Sequence, residues 1–320
     1  MKLVFAGTPD FAVPSLERLA GEHRIAAAVT RPDRPAGRGR RVRPAPVAEA
    51  AGRLGIPVLL PENVNESAFI HEIEALALDA IGVVSFGKIL SKELLAVPRL
   101  GCFNLHASIL PEYRGASPVQ AALAEGREET GVTVIRMTAR MDAGPVLSAR
   151  KVAILPCETA GALLNRLART GAEEFALALA AVEQGRAVET AQDDSRATYC
   201  RPIAKANGEV DWSLPAARIV CHWQAMTPWP GAFTWFLAEG RAPLRVTLEA
   251  VEACSGPGFA AGALPGRALR AGDGGIDVAA GDGAVRILAL RPEGKRAMSA
   301  AEFVRGRPLE TGARFGKPDA

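Results

Sequence analysis

The 320-residue sequence predicts an α/β protein in two parts: a Rossmann-like, mostly parallel sheet domain, followed by a small OB-like β-barrel domain. Three observations carry this prediction. The chain is longer than the ~250–300 residues at which a single core stops growing, so two domains are the default. Its first half alternates short apolar runs with helix-period segments, the pattern of parallel strands joined by helices. Beyond a polar stretch it turns to short alternating runs broken by glycine, as in small barrels. The boundaries read as 1–188 for the α/β domain, 189–206 for a linker and 207–320 for the barrel.

Strands are expected at Lys2–Ala6, Ile25–Val29, Ile56–Leu60, Ala80–Phe86 and Cys102–His106, each an apolar run. Helices are expected between them at Ala12–Ala20, where Pro14 fits the first turn, and at Val47–Leu54 and Glu66–Leu76. Gly131–Met137 and Val146–Ile154 alternate with period two and read as a strand pair. Thr159–Gln184 reads as a long helix with a capping threonine and a terminating Gly185. Leu214–Ala225 reads as a helix. Ala232–Phe236, Leu244–Val251, Arg267–Arg270, Gly275–Ala279 and Ala284–Leu290 follow as barrel strands. The tail from about Gly306 is expected to be loosely ordered.

Several classes of function are disfavoured. The longest apolar run, Phe175–Val182, is far short of the ~18 residues that suggest a membrane span, and Leu3–Ala6 is too short for a secretory signal, so a cytosolic protein is expected. Five widely spaced cysteines without a C-x-x-C pair argue against a disulfide framework or a zinc site, and each is expected to be a buried or half-buried thiol. No metal is inferred. The turn after the first strand, Gly7-Thr8-Pro9-Asp10, lacks the three glycines of a dinucleotide fingerprint, and Pro9 removes a backbone donor. NAD chemistry is therefore not expected on this sheet.

Charge is unevenly placed. Residues 1–199 are neutral overall and residues 200–320 carry the whole net charge of +3. Within the neutral part, residues 31–43 hold six arginines and one aspartate. The loop from Thr30 to Pro46 also has four prolines and two glycines, so neither regular helix nor strand is expected there. Arginine meets phosphate in a fork geometry, although a charge run is also an ordinary solvated face.

The chemically informative stretch is Asn104-Leu105-His106-Ala107-Ser108-Ile109-Leu110-Pro111-Glu112-Tyr113-Arg114-Gly115. Side chains alternate along a strand, so Asn104 and His106 share one side, at a carboxyl end where open parallel sheets bind ligands. Asp142, in Met141-Asp142-Ala143-Gly144, is the next polar candidate. A carboxamide can donate to an oxyanion, an imidazole can move protons, and a carboxylate can orient the imidazole, a set that suits acyl transfer to an amine. The spacing alone leaves the plainer readings open: a hydrogen-bonded strand end for the first two and a turn residue for Asp142.

These stretches resemble the formyltransferases that use 10-formyltetrahydrofolate, whose shared pattern has Asn, His two residues later, a Ser-Leu-Leu-Pro-like turn and Arg-Gly. Ile109 is a conservative departure from that turn, Phe86 stands where Tyr is expected and Ala107 where Gly is common. Within that family the chain is most similar to the members that act on initiator methionyl-tRNA. The supporting stretches are Phe5–Phe11, Arg31–Arg41, Gly87-Lys88-Ile89-Leu90, Val210-Asp211-Trp212-Ser213 and Pro228-Trp229-Pro230-Gly231. The resemblance implies 10-formyltetrahydrofolate as co-substrate, no metal, and formylation of the amino group of charged initiator tRNA for translation initiation. It implies Asn104, His106 and Asp142 as catalytic residues. Phe86, Gly87, Leu90, Ser108, Ile109, Leu110 and Pro111 would contact the folate. Arg38 would lead the tRNA contacts, with Arg34, Arg40, Arg41 and Arg43 beside it. Trp212 and Trp229 can stack on bases or, the favoured reading, be buried where the domains join. A monomer is expected. The other readings are formyl transfer to a small amine such as an amino sugar nucleotide or purine precursor, hydrolysis of the formylfolate, or a non-catalytic RNA-binding module.

Overall fold

A computed structural model describes residues 1–32, 34–36, 41–254, 263–309 and 312–318. Its chain divides into two compact units, one of residues 1–119, 128–154 and 162–202, the other of residues 120–127, 155–161 and 203–320.

The first unit opens with β1 (Lys2–Gly7), α1 (Val13–Ala20) and β2 (Arg24–Val29). Pro14 lies in the first turn of α1, where its missing N–H has no helical partner to lose. Next come β3 (Arg34–Ala36) and β4 (Arg41–Arg43), then α2 (Pro46–Arg53), β5 (Val58–Leu59), α3 (Ser67–Ala75) and β6 (Ala80–Val84). The chain continues through α4 (Lys92–Ala96), β7 (Gly101–His106), β8 (Arg114–Gly115), α5 (Pro118–Ala124), β9 (Glu129–Arg136), β10 (Val146–Ala153), α6 (Ala160–Glu183) and β11 (Tyr199–Cys200).

The main sheet has the order β10-β9-β7-β6-β1-β2-β5. Strands β1, β2, β5, β6 and β7 are parallel, and β9 and β10 add an antiparallel edge. The order reverses between β1 and β6, the switch point at which sheets of this kind open a crevice beyond their carboxyl ends. Every residue of β6 is buried, as a central parallel strand covered on both faces requires.

Some expectations need correction. The arginine-rich loop carries the antiparallel pair β3–β4, with Pro35 opposite Val42. A two-stranded ribbon is edge on both sides, so a proline there breaks no central ladder. The strand expected over Ile56–Leu60 shrinks to two residues. The segment read as a linker contributes β11, which pairs in parallel with β8 inside the first unit. Cys157 is exposed.

The second unit holds α7 (Ala216–Met226) and the strands β12 (Phe233–Leu237), β13 (Leu244–Cys254), β14 (Ala268–Gly272), β15 (Gly275–Ala279), β16 (Ala284–Pro292) and β17 (Met298–Ser299). Helix α8 (Ala300–Gly306) and β18 (Arg314–Gly316) follow, and residues 120–124 of α5 also belong to this unit. Its sheet runs β14-β15-β16-β13-β12-β18, all antiparallel, with β17 beside β16. A bridge between Arg267 and Arg314, with Phe315 N–H donating to the Gly266 carbonyl, brings the two ends of that order together. Trp212, Phe236, Phe303 and Phe315 form the aromatic heart of this unit. The tail is more ordered than expected, because Phe315 is buried in that cluster and β18 pairs with β12. Trp212 is buried and its indole donates to Thr234, whereas Trp229 is 53% exposed, contrary to the burial favoured for it. No helix among the described residues is long and apolar enough to cross a membrane.

Candidate active site

Strand β7 lies between β6 and β9 and ends at His106. Asn104 and His106, two residues apart, project together as the strand period requires. Past the strand the chain turns back in a tightly held loop. The Ser108 hydroxyl donates to the Glu112 carbonyl at 2.6 Å, Thr133 Oγ1 donates to the Ser108 carbonyl at 2.6 Å, and Leu110 N–H donates to Thr133 Oγ1 at 3.1 Å. That loop delivers the Tyr113 carbonyl to His106 Nε2 at 2.9 Å, with Tyr113 at φ +59°. A carbonyl only accepts, so Nε2 carries the hydrogen. The nitrogen left to gain or release a proton is Nδ1.

His106 Nδ1 faces Asp142 Oδ2 at 3.7 Å. The other carboxylate oxygen, Oδ1, lies 3.4 Å from Asn104 Nδ2. Gly115 N–H donates to Oδ2 at 2.9 Å. Two side chains and one backbone N–H, from residues some thirty to forty positions earlier in the chain, thus converge on one carboxylate. Asp142 itself sits at φ +49°, a strained conformation for a residue with a Cβ. Two glycines make room for this arrangement. A Cβ on Gly115, at φ +114°, would lie 2.3 Å from the Cys200 carbonyl oxygen. One on Gly144 would lie 1.8 Å from the Arg136 carbonyl oxygen.

Behind the Asp142 loop is a layer that sequence reading missed. Gln192 Nε2 donates to the carbonyls of Asp142 at 2.8 Å and Gly144 at 2.7 Å. Gln192 Oε1 accepts from Arg114 Nη2 at 2.7 Å and from Nε at 3.1 Å. Arg114 is 1% exposed and also reaches Asp194 at 2.8 Å. Asp194 in turn accepts from Arg140 at 2.9 Å. Burial opposes the Arg114 charge, but the Asp194 carboxylate and the Tyr199 hydroxyl outweigh it and hold its pKa above the ordinary guanidinium value. Hydrogen bonds from Arg114 first, then Arg140, pull the Asp194 carboxyl below its ordinary value. Arg114 was visible in the motif only as part of an Arg-Gly turn. Nothing in the sequence around Gln192 marks it.

The remaining candidates fall into three groups. Ser108 and Leu110 are buried and Ile109 and Pro111 half-buried, all in the turn that Thr133 holds. Phe86 and Leu90 are buried at the end of β6, where with Ala6, Val29 and Ile81 they line a small apolar pocket. Gly87, at φ +71°, accepts a hydrogen bond from Arg31, which ties the root of the arginine-rich loop to this turn. Arg38 and Arg40 lie outside the described residues. Arg34 and Arg41 are on β3 and β4, and Arg43 is exposed.

The first unit is thus a doubly wound sheet with Asn104, His106 and Asp142 clustered beyond its carboxyl ends, and an antiparallel unit follows it in the chain. The chain belongs to the formyl transferase family: its sequence matches that family over residues 1–179 and the formyl transferase C-terminal domain over residues 202–308. Among its relatives is the methionyl-tRNA formyltransferase of Parvibaculum lavamentivorans, 44% identical over 313 residues, covering 98% of this chain and 99% of the relative. The methionyl-tRNA formyltransferase of Methylobacterium sp. strain 4-46 is 44% identical over 317 residues, with the same two coverages. The crystal structure of WlaRD, a sugar 3N-formyl transferase in the presence of dTDP and 5-N-formyl-THF, shares the fold. Its TM-score is 0.62 at 16% identity, covering 92% of this chain and 99% of that one.

Proposed function

We propose that this chain transfers the formyl group of 10-formyltetrahydrofolate to the amino group of methionine carried on initiator tRNA. The observation that carries the reading is the convergence of Asn104 and His106 on Asp142 at the end of β7. The 44% identity to methionyl-tRNA formyltransferases over nearly the whole chain supports the choice of acceptor.

The residues divide the work as follows. Asn104 has a second amide hydrogen besides the one directed to Asp142, and it donates that hydrogen to the formyl oxygen as the amine adds and negative charge gathers there. His106, protonated at Nδ1, adds a second donor. Asp142 keeps the imidazole oriented and helps take the proton that the attacking amine loses as the new C–N bond forms. Breaking the old bond leaves the electron pair on the folate nitrogen N10, and the same pair of residues returns a proton to it. The co-substrate fits the loops around this cluster. Its ring lies along the chain from Phe86 to Leu90 and against the turn Ser108–Pro111.

The first unit, with the segment 189–202 built into it, supplies this chemistry. The arginine-rich loop, led by Arg38 with Arg34, Arg40, Arg41 and Arg43, clamps acceptor-stem phosphates, and residues 207–320 add contacts to the tRNA backbone. The protein acts as a cytosolic monomer.

The test is a formyl-transfer assay with charged initiator tRNA and 10-formyltetrahydrofolate on wild type, Asn104→Ala and Arg38→Ala. Asn104→Ala should lose about 10²–10³-fold in kcat, as removal of an oxyanion donor does. Arg38→Ala should raise the KM for tRNA and leave folate binding unchanged. A wild-type enzyme that ignores tRNA and passes the formyl group to water or a small amine would overturn the acceptor assignment.

A further inference from the structure

We infer that Gln192 is a positioning residue for the Asp142 carboxylate, and that the polar segment 190–200 acts as a strap that sets the geometry of the site. The inference rests on the function proposed above for Asn104, His106 and Asp142.

Asp142 occupies a left-handed backbone conformation, at φ +49°, which aspartate tolerates better than most residues with a Cβ but still at a cost. Contacts from outside the loop reinforce it. Gln192 grips the loop at two carbonyls, those of Asp142 and Gly144, with the two hydrogens of one amide group. The orientation of that amide is determined by its neighbours. Its oxygen faces the Arg114 guanidinium, which can only donate, and its nitrogen faces two carbonyls, which can only accept. A reversed amide would oppose every one of these partners.

The strap also governs the other anchor of Asp142. Gly115 N–H, which donates to Asp142 Oδ2, follows directly on Arg114 in β8, and β8 is paired with β11 of the strap. Tyr113 N–H donates to Thr198 Oγ1 at 2.8 Å, and Arg114 N–H donates to the Thr198 carbonyl at 2.8 Å. Thr190 exchanges backbone hydrogen bonds with Val146, just past the Asp142 loop. Asp194 joins Arg114 to Arg140 of the same loop. The carboxylate is therefore held from both sides by one stretch of chain some fifty residues downstream, and Gln192 is the contact that reaches its backbone.

Gln192→Glu separates this role from plain structural support. The substitution keeps the side chain's length and gives Arg114 a carboxylate partner, while turning both donors into lone pairs aimed at carbonyls. A residue that only supported Arg114 would tolerate it. A residue that positions Asp142 should not: kcat should fall about 10²-fold, the loss expected when a reacting group is displaced by about an ångström, with the KM of each substrate nearly unchanged. Gln192→Ala carries the same test should the glutamate variant fail to fold, which circular dichroism reports. In an Asp142→Asn background neither substitution should lower activity further, because the group it positions is gone. NMR of the labelled chain gives a readout without substrate: the His106 ring ¹⁵N resonances should move in the same direction in the Gln192 variants as in Asp142→Asn. Wild-type kcat in Gln192→Glu, an equal further loss in the Asp142→Asn background, or unmoved His106 resonances would each overturn the inference. Absence of formyl transfer by the wild type would instead overturn the proposed function, and the NMR arm would still decide the role of Gln192.

Discussion

At the scale of single residues, the chemistry turns on which atoms already have partners. His106 spends Nε2 on the Tyr113 carbonyl, so only Nδ1, 3.7 Å from Asp142, is left for proton traffic. Asp142 receives Gly115 N–H on that same oxygen. Replacing the carboxylate by an amide of the same shape, Asp142→Asn, should preserve the fold and lower kcat by about 10²–10⁴-fold, the range for loss of a general acid–base group. Steady-state kinetics beside a thermal melt checks this; a variant with full activity would remove Asp142 from the mechanism. Gly115→Ala tests the backbone. Its Cβ would meet the Cys200 carbonyl oxygen at 2.3 Å in a conformation, φ +114°, that alanine avoids. Urea unfolding should show a loss of about 1–3 kcal/mol, with activity falling as the N–H that anchors Asp142 is displaced.

At the scale of elements, β7 ends in the catalytic pair and the strap around β11 closes over the loop that completes it. The strap has an electrostatic latch in Asp194, whose carboxyl is held below its ordinary value of 3.8 by Arg114 and Arg140. For a carboxyl whose folded value is depressed, the stabilisation is present above the unfolded value and is lost as pH falls through the folded one. The stability gap between wild type and Asp194→Asn, measured by urea unfolding, should therefore be present at pH 7 and close below about pH 3.8. A gap that persists unchanged in acid would show that the latch is not ionic. Several elements were visible in advance because their cause is local. Asn104 and His106 share a side because strands have period two, and Pro14 marks a helix start. Helix α8 also has a local cause, the reciprocal capping box of Ser299 and Glu302.

Across the whole molecule, charge is arranged rather than abundant. A net charge of +3 coexists with six arginines within residues 31–43. If these meet phosphates, affinity for charged tRNA should fall steeply with salt, and each contact removed should flatten the dependence of log K on log salt by about 0.7–0.9. Arg43→Ala is a direct probe, since Arg43 is exposed. Binding titrations across a range of NaCl concentration would show the change; an unaltered slope would place Arg43 outside the interface.

The succession of strands and helices, the change of pattern past residue 200 and the Asn–His pair are legible in the sequence, because each depends on periodicity or spacing within a few residues. Resemblance to a family added Asp142, which spacing alone left as a turn residue. What that carboxylate touches follows from the packing of elements far apart in the chain. Gln192 lies fifty positions from Asp142, in a stretch that read as a polar linker, and no local pattern encodes a hydrogen bond over that separation. The burial of Phe315 and the exposure of Trp229 were settled in the same way. An aromatic residue is buried when the rest of the chain brings it neighbours, and those neighbours are chosen by the packing of distant elements.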